Sequence, residues 1–368
     1  MFIALILVEV ECLRKYRREY LKIAELPSFV EISENARKKV EKVMEGFGLT
    51  SAVLLSGKTS FEVVGSKIYD KVSDKIIETF HVEKARMDEV RKIEFQIGYS
   101  DVDCVIGVGG GKVLDLGKVL ASELNVAFIS IPTVASHDGI ASPVASFKEE
   151  NRPVSISTNP PTAVLADLTI LRKSPVRYLR SGYGDLISNI TAVKDWILAK
   201  DKRDEEYSEV AASMAVMPAS LMLTTANLDI SNLKHLEMLI RGLILSGVSI
   251  SLIGSSRPAS GAEHKFSHAI DYLGYGNALH GEQVGIGAII MEYLHQKHYG
   301  VGDWEKIKES LERVQAPTTA KEIGLSKDEI LEALMFAKKI RRRRYTILED
   351  VDPDRKEFEL VVEKTGVA

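Results

Sequence analysis

The sequence predicts an α/β amino-terminal domain built on a mostly parallel sheet, followed by an all-helical carboxy-terminal domain. Three observations predict it. Short apolar runs alternate with amphipathic segments through the first half, the pattern of a parallel sheet covered on both faces. One of these runs enters a glycine-rich turn and leaves it as a helix. Beyond about Pro175 nearly every segment repeats its apolar residues with helical period. A chain of 368 residues, 45% of them apolar, is long enough for two domains, 1–175 and 176–368.

Taken in order, Ser33 is placed to cap a helix through about Glu45 that Gly46 and Gly48 end. Ala52 to Leu55 reads as a buried strand, followed by helix 60–72, strand 75–80, helix 87–97 and strand 102–108. A further strand is expected over 126–132. Between about 140 and 170, Pro- and Ser-rich runs suggest a hairpin beside the sheet. Helices follow at 183–200, 207–226, 234–253, 259–271 and 279–298. The apolar N-terminus, MFIALILVEVEC, carries Glu9 and Glu11, lacks a basic leader and is too short to span a bilayer. An edge strand is its plainest reading, with a signal remnant or a start further downstream left open.

A formal charge of -4 gives no general attraction to nucleic acid or anionic lipid, so any phosphate recognition must be local. No transmembrane segment is read. Two cysteines, Cys12 and Cys104, exclude a cysteine-based metal site and fit a reducing, cytoplasmic setting.

Residues 101–115 read DVDCVIGVGGGKVLD, four glycines within five residues between a strand and a helix that starts near Lys112. Glycines there let a backbone approach closely, and the free N–H groups of a helix start attract a pyrophosphate. The spacing is neither the G-x-G-x-x-G fingerprint, because Lys112 stands at its third glycine, nor a P-loop. A tight strand-to-helix turn is the plain alternative. The adenosine end of a dinucleotide belongs near Ser56-Gly57-Lys58-Thr59, where a lysine and hydroxyls in place of a carboxylate suggest tolerance of the NADPH 2′-phosphate. Lys58 as a solvated loop residue is the competing reading.

Three of eight histidines, His264, His268 and His280, fall in a short region. His264 and His268 lie one helical turn apart, and His280 opens the next helix after a glycine-rich break. Imidazoles from two helices plus a carboxylate make a metal site with an open position. The carboxylate is sought at Asp185, which the flanking Gly182 and Gly184 place at an expected helix N-terminus, where capping is the alternative role. The companion Asn189 is not explained by capping.

These pieces resemble the superfamily that unites glycerol dehydrogenases, iron-containing alcohol dehydrogenases and 3-dehydroquinate synthase, over about residues 28–350. Its GGGKxxD motif matches Gly109, Gly110, Gly111, Lys112 and Asp115, and its metal ligands match Asp185, His264 and His280. Within it, PTVASHDGIASP (132–143), YGDLISNITAVKDW (183–196) and HGEQVGIG (280–287) resemble the sn-glycerol-1-phosphate dehydrogenase family. The resemblance implies an active site in the cleft between the domains, Zn²⁺ at the three ligands and NADPH or NADH as cofactor. It places Thr133, Ser136 and Ser142 on the nicotinamide side and Asp138 and His268 against substrate. The implied reaction is reduction of dihydroxyacetone phosphate to sn-glycerol 1-phosphate, as in archaeal lipid synthesis. His268 is favoured to relay a proton because an ordinary imidazole titrates near neutrality. A homo-oligomer is expected. The run from Lys338 to Arg344, KKIRRRR, suggests a phosphate clamp, although a solvated helix end is the preferred reading. A glycerol dehydrogenase, a lyase that keeps its NAD, and a non-catalytic binding protein are the alternatives.

Overall fold

In a computed structural model, residues 24–98, 100–149 and 152–368 are described, so the edge-strand reading of the N-terminus lies outside the described residues. Six parallel strands form one sheet in the order β1-β8-β5-β4-β2-β3. They are β1 (Phe29–Ser33), β2 (Ala52–Ser56), β3 (Ile76–His81), β4 (Cys104–Gly109), β5 (Ala127–Pro132) and β8 (Ala163–Asp167). The inner strands β2, β4 and β8 are buried along their whole length, as a sheet covered on both faces requires. The antiparallel pair β6 (Val144–Glu149) and β7 (Arg152–Ser157) is the expected hairpin. Helices α1 (Val40–Gly46), α2 (Ser66–Val72), α3 (Met87–Ile97) and α4 (Gly111–Leu124) connect the strands.

Two expectations for this half are corrected. Ser33 does not cap a helix: it ends β1, pairs with Asp167 across the ladder, and donates to Glu31 at 2.6 Å. The helical turn that follows is held instead by Asp167, whose carboxylate accepts from Asn35 N, Arg37 N and Arg37 Nη1 at 3.1, 3.3 and 2.5 Å. A carboxylate 132 positions away thus does the work assigned to a local hydroxyl. The segment assigned wholly to a hairpin also contains β8, an inner parallel strand.

After Pro175 the chain is helical: α5 (Val176–Arg203), α6 (Glu209–Thr224), α7 (Leu233–Ile253), α8 (Ala262–Leu273) and α9 (His280–Tyr299), followed by shorter helices that include Lys327–Ala337 and Ile347–Val351. Helix α7 alone among the described helices is long and apolar enough to cross a membrane, and most of it is buried inside the fold. One apolar cluster runs without a break from Val53 and Leu114 under the sheet through Ala135, Tyr183, Leu186 and Leu243 into the carboxy-terminal helices.

Helix α5 begins at Val176, so Gly182 and Gly184 lie inside it and Asp185 is not at its N-terminus. These glycines serve close approach. A Cβ at Gly184 would run into the Gly281 carbonyl, a Cβ at Gly281 into the Ser181 carbonyl, and a Cβ at Gly182 into the Ala135 carbonyl. Each mid-helix glycine costs about 1 kcal/mol relative to alanine, offset here by backbone-to-backbone packing of α5 on α9 and on the loop after β5. Gly281→Ala forces that contact apart. A loss of roughly 2–3 kcal/mol is expected from overpacking, read as a lower denaturation midpoint of the metal-free protein.

Candidate active site and metal centre

The start of α8 is fixed before any ligand enters: Ala262 N donates to Asp195 Oδ2 at 2.7 Å and Gly261 N to Glu263 Oε1 at 2.7 Å. Asp195 also accepts from Ile347 N at 2.8 Å and pairs with His295 Nε2 at 3.0 Å, so it ties α5, α8, α9 and the helix at Ile347–Val351 together. On this frame Asp185 from α5, His264 from α8 and His280 from the first turn of α9 bring one ligand atom each to within 4.8 Å of one another. Asp185 Oδ1 lies 3.9 Å from His264 Nε2 and 3.5 Å from His280 Nε2.

Both imidazoles are held by their far nitrogens. His264 Nδ1 meets Glu263 Oε1 at 2.7 Å, and His280 Nδ1 meets Ser267 Oγ at 3.0 Å, which in turn donates to Gln283 Oε1 at 2.6 Å. This leaves each Nε2 as the lone-pair atom facing Asp185, the arrangement in which protein histidines bind metal. The charges fit a cation as well. Burial, Asp138 and Glu263 raise the Asp185 carboxyl well above the ordinary range, and burial with Asp195 pushes Glu263 up to about 8. Burial lowers all three imidazoles, His264 to about 3. A dry pocket of carboxylates and neutral imidazoles is one that a divalent cation stabilises.

Asp138 adjoins the triad. Its backbone N–H donates to Asp185 Oδ2 at 3.0 Å, and its own Oδ2 accepts from Ser246 Oγ at 3.0 Å. Ser246 Oγ accepts from Asn189 Nδ2 at 3.0 Å, which gives Asn189 the role that capping left unexplained. His268, half-buried, holds its ring tilted, 6.2 Å from that of His280, and its buried Nδ1 has no partner among the described residues. The expectation of a near-neutral titration for His268 does not hold. Burial and the Arg341 charge push it well below the usual histidine value, so it is a neutral hydrogen-bonding group at pH 7.

The glycine-rich turn adjoins the cluster through His137. Gly110 precedes α4 and Gly111 opens it; a Cβ on Gly111 would strike the ring of His137, which sits 6.4 Å from the His280 ring. Gly109 pairs with Pro132, its carbonyl accepts from Thr133 N at 3.0 Å, and the exposed Lys112 follows on α4. At the end of the neighbouring β2, Ser60 Oγ joins Gly57 N at 2.9 Å to Val108 O at 3.0 Å, so Gly57 and Gly109 sit side by side. Lys58 is exposed and lies 3.4 Å from Glu83. The Ser136 carbonyl accepts from Ser181 Oγ at 3.0 Å. Asp115 and Ser142, expected at the cofactor, are both tied to Lys118. Asp115 pairs with Lys118 at 2.9 Å and accepts from Ser146 N at 3.2 Å, while the Ser142 carbonyl accepts from the buried Lys118 at 3.3 Å. They anchor the hairpin to α4.

Sequence reasoning missed His137, Glu263, Ser246 and Ser267. Each acts through a neighbour, and only the direct adjacency of Glu263 to His264 was a signal in the sequence. The basic run is also misplaced in part: Arg342 and Arg343 are exposed, but Arg341 and Arg344 turn inward.

Comparison with known proteins places the chain in a family. Residues 31–175 match the iron-containing alcohol dehydrogenase family. The chain is 60% identical over 348 residues to a glycerol-1-phosphate dehydrogenase [NAD(P)+] of Archaeoglobus fulgidus, spanning 94% of this chain and 99% of the relative. The chain belongs to the glycerol-1-phosphate dehydrogenase family. A member from Thermococcus kodakarensis is 42% identical over 94% of this chain and 98% of its own. Among solved structures, the fold is similar to glycerol dehydrogenase from Schizosaccharomyces pombe, with a TM-score of 0.75, 19% identity and coverage of 94% and 93% of the two chains. Maleylacetate reductase from Agrobacterium tumefaciens gives 0.74, 17%, 92% and 96%.

Two outcomes follow for this glycerol-1-phosphate dehydrogenase family site. Glu263→Gln weakens the orienting bond to His264 and is expected to lower divalent-metal affinity about 10- to 100-fold, measured by competition with a chromogenic chelator. In metal-free protein the folded imidazoles bind fewer protons than the unfolded chain below pH 6.5. Their stabilising contribution is therefore complete above that pH and is lost as pH falls toward the folded value, about 3 for His264. The raised Asp185 and Glu263 carboxyls contribute with the opposite sign over this range, so the measured quantity is a difference: between pH 7 and 5 the melting temperature of wild type should fall relative to that of His268→Gln.

Proposed function

We propose that this chain reduces dihydroxyacetone phosphate to sn-glycerol 1-phosphate with NADPH or NADH, and runs the reverse reaction, with Zn²⁺ as its metal. The observation that carries this reading is the meeting of Asp185, His264 and His280 across a cleft from the glycine-rich turn, with His137 and Asp138 between. The family name its relatives bear supports the substrate. The setting we assign is cytoplasmic, in the synthesis of archaeal membrane lipids, by a homo-oligomer.

In this reading the N–H groups at Gly110 and Gly111 receive the cofactor pyrophosphate at the start of α4. Gly57 and Lys58 flank the adenosine ribose, and Thr133 and Ser136 line the nicotinamide side. Once bound, the nicotinamide supplies hydride and the cation supplies Lewis acidity at the ketone oxygen. The protein does the rest. Asp185 holds the Asp138 backbone, and Ser246 holds the Asp138 carboxylate, leaving Asp138 Oδ1 to accept a substrate hydroxyl. The unpartnered Nδ1 of the neutral His268 faces another, and these two groups orient the substrate, the proton of the new alcohol being drawn from water.

The decisive experiment is anaerobic reduction of dihydroxyacetone phosphate by the zinc-loaded protein with each cofactor, followed by chiral analysis. Stoichiometric cofactor oxidation and the sn-1 product are expected; cofactor retained without net oxidation, or a preference for unphosphorylated glycerol in the reverse direction, would overturn the reading. Asp185→Asn should lower kcat/KM about a thousandfold or more, several kcal/mol of charge stabilisation being at stake.

A further inference from the structure

The run of four arginines does not behave as one surface. Arg341 and Arg344 are drawn in, and among the described residues neither has a carboxylate within ion-pairing distance, unlike the neighbouring Arg257, which pairs with Glu205. Their visible partners are neutral. Arg341 Nη1 donates to Ser260 Oγ at 3.1 Å and Nη2 to Ser155 Oγ at 2.6 Å; Arg344 Nη1 donates to the Ser260 carbonyl at 2.5 Å and Nη2 to Ser256 Oγ at 2.9 Å. A guanidinium has five N–H donors, so more than half of each fork is unused.

Cations withdrawn from water without an anion are unfavourable, and burial lowers both, Arg344 to about 9. Arg341 is further held at φ +43°, a left-handed backbone that a non-glycine residue adopts at the expense of strain and that clusters at ligand sites. Its location is specific. Ser260 lies at the entry to α8, four residues before His264, and Ser155 is on the hairpin strand β7, so the guanidinium bridges two walls of the cleft. Its charge reaches all three imidazoles, acting on His264, His268 and His280 alike.

We infer that Arg341, backed by Arg344, is the receptor for the phosphate of a phosphorylated ketone whose other end lies at the Asp185, His264 and His280 cluster. The inference rests on the proposed function for the nature of the substrate and adds the residue that selects for its phosphate. A phosphate monoester dianion supplies the negative charge the two arginines lack, and the planar fork of Arg341 suits two of its oxygens. The hydroxyls of Ser155 and Ser260, already on the fork, are within reach of the same group. The nucleotide phosphates have their own place at Gly110 and Gly111, on the α4 side of the cleft.

The test compares kcat/KM for dihydroxyacetone phosphate with that for dihydroxyacetone in the zinc-loaded, full-length wild type, in Arg341→Gly, which tolerates the left-handed backbone, and in Arg341→Lys. The ratio should fall about 100-fold in Arg341→Gly, the loss of a charge-assisted fork, chiefly through KM, with partial recovery in Arg341→Lys. Addition of sn-glycerol 1-phosphate should raise the melting temperature of wild type far more than that of either variant. A ratio left as in wild type, or equal losses on both ketones, overturns the inference and leaves the proposed function standing. A wild type that does not favour the phosphorylated ketone overturns both.

Discussion

The contact on which the site depends is that between the backbones of α5 and α9, where Gly184 and Gly281 let main-chain atoms meet with no side chain between them. That approach is what brings Asp185 on one helix and His280 on the other within reach of a shared ion. Asp195, further along α5, then takes the backbone of Ala262 and so sets where α8 delivers His264. One helix and the entry of another are thus referred to a third, α5, and the ligand geometry is settled by packing before any metal is present.

Much of this was legible in the sequence, for physical reasons that differ by element. Strands such as Ala52–Ser56 and Cys104–Gly109 announce themselves because a sheet covered on both faces needs unbroken apolar runs. The pair His264 and His268 was legible because helical spacing alone puts them on one face. Asp185 was found as a residue but misread as a helix start, since Gly182 and Gly184 look like a break when the carbonyls they accommodate, those of Ala135 and Gly281, are remote in the chain. Ser33 failed for the same reason: the group that holds the following turn, Asp167, is remote in the chain. A basic run says nothing about which of its members point inward, and only the fold separates Arg341 and Arg344 from Arg342 and Arg343.

Electrostatically the cleft is divided. Its floor gathers Asp185 and Glu263, acids that burial makes hard to ionise, while its rim brings arginines with no carboxylate in ion-pairing distance among the described residues. Between them the imidazoles are pushed to the neutral form, which suits lone-pair donation to a metal and directional hydrogen bonds to hydroxyls. The two deficits have opposite sign and complement a ligand that carries an ionised ester at one end and a polarisable carbonyl at the other.

The apolar cluster that continues from beneath the sheet into the helices has a mechanical consequence. Two bodies that share one dry interior cannot swing apart as rigid shells on a hinge without exposing it to water, an unfavourable step at about 25 cal/mol per Å² of apolar surface. Admission and release of reactants must therefore proceed without parting the two halves, and the β6–β7 strands, whose Ala145 and Phe147 belong to the same cluster, stay with the base.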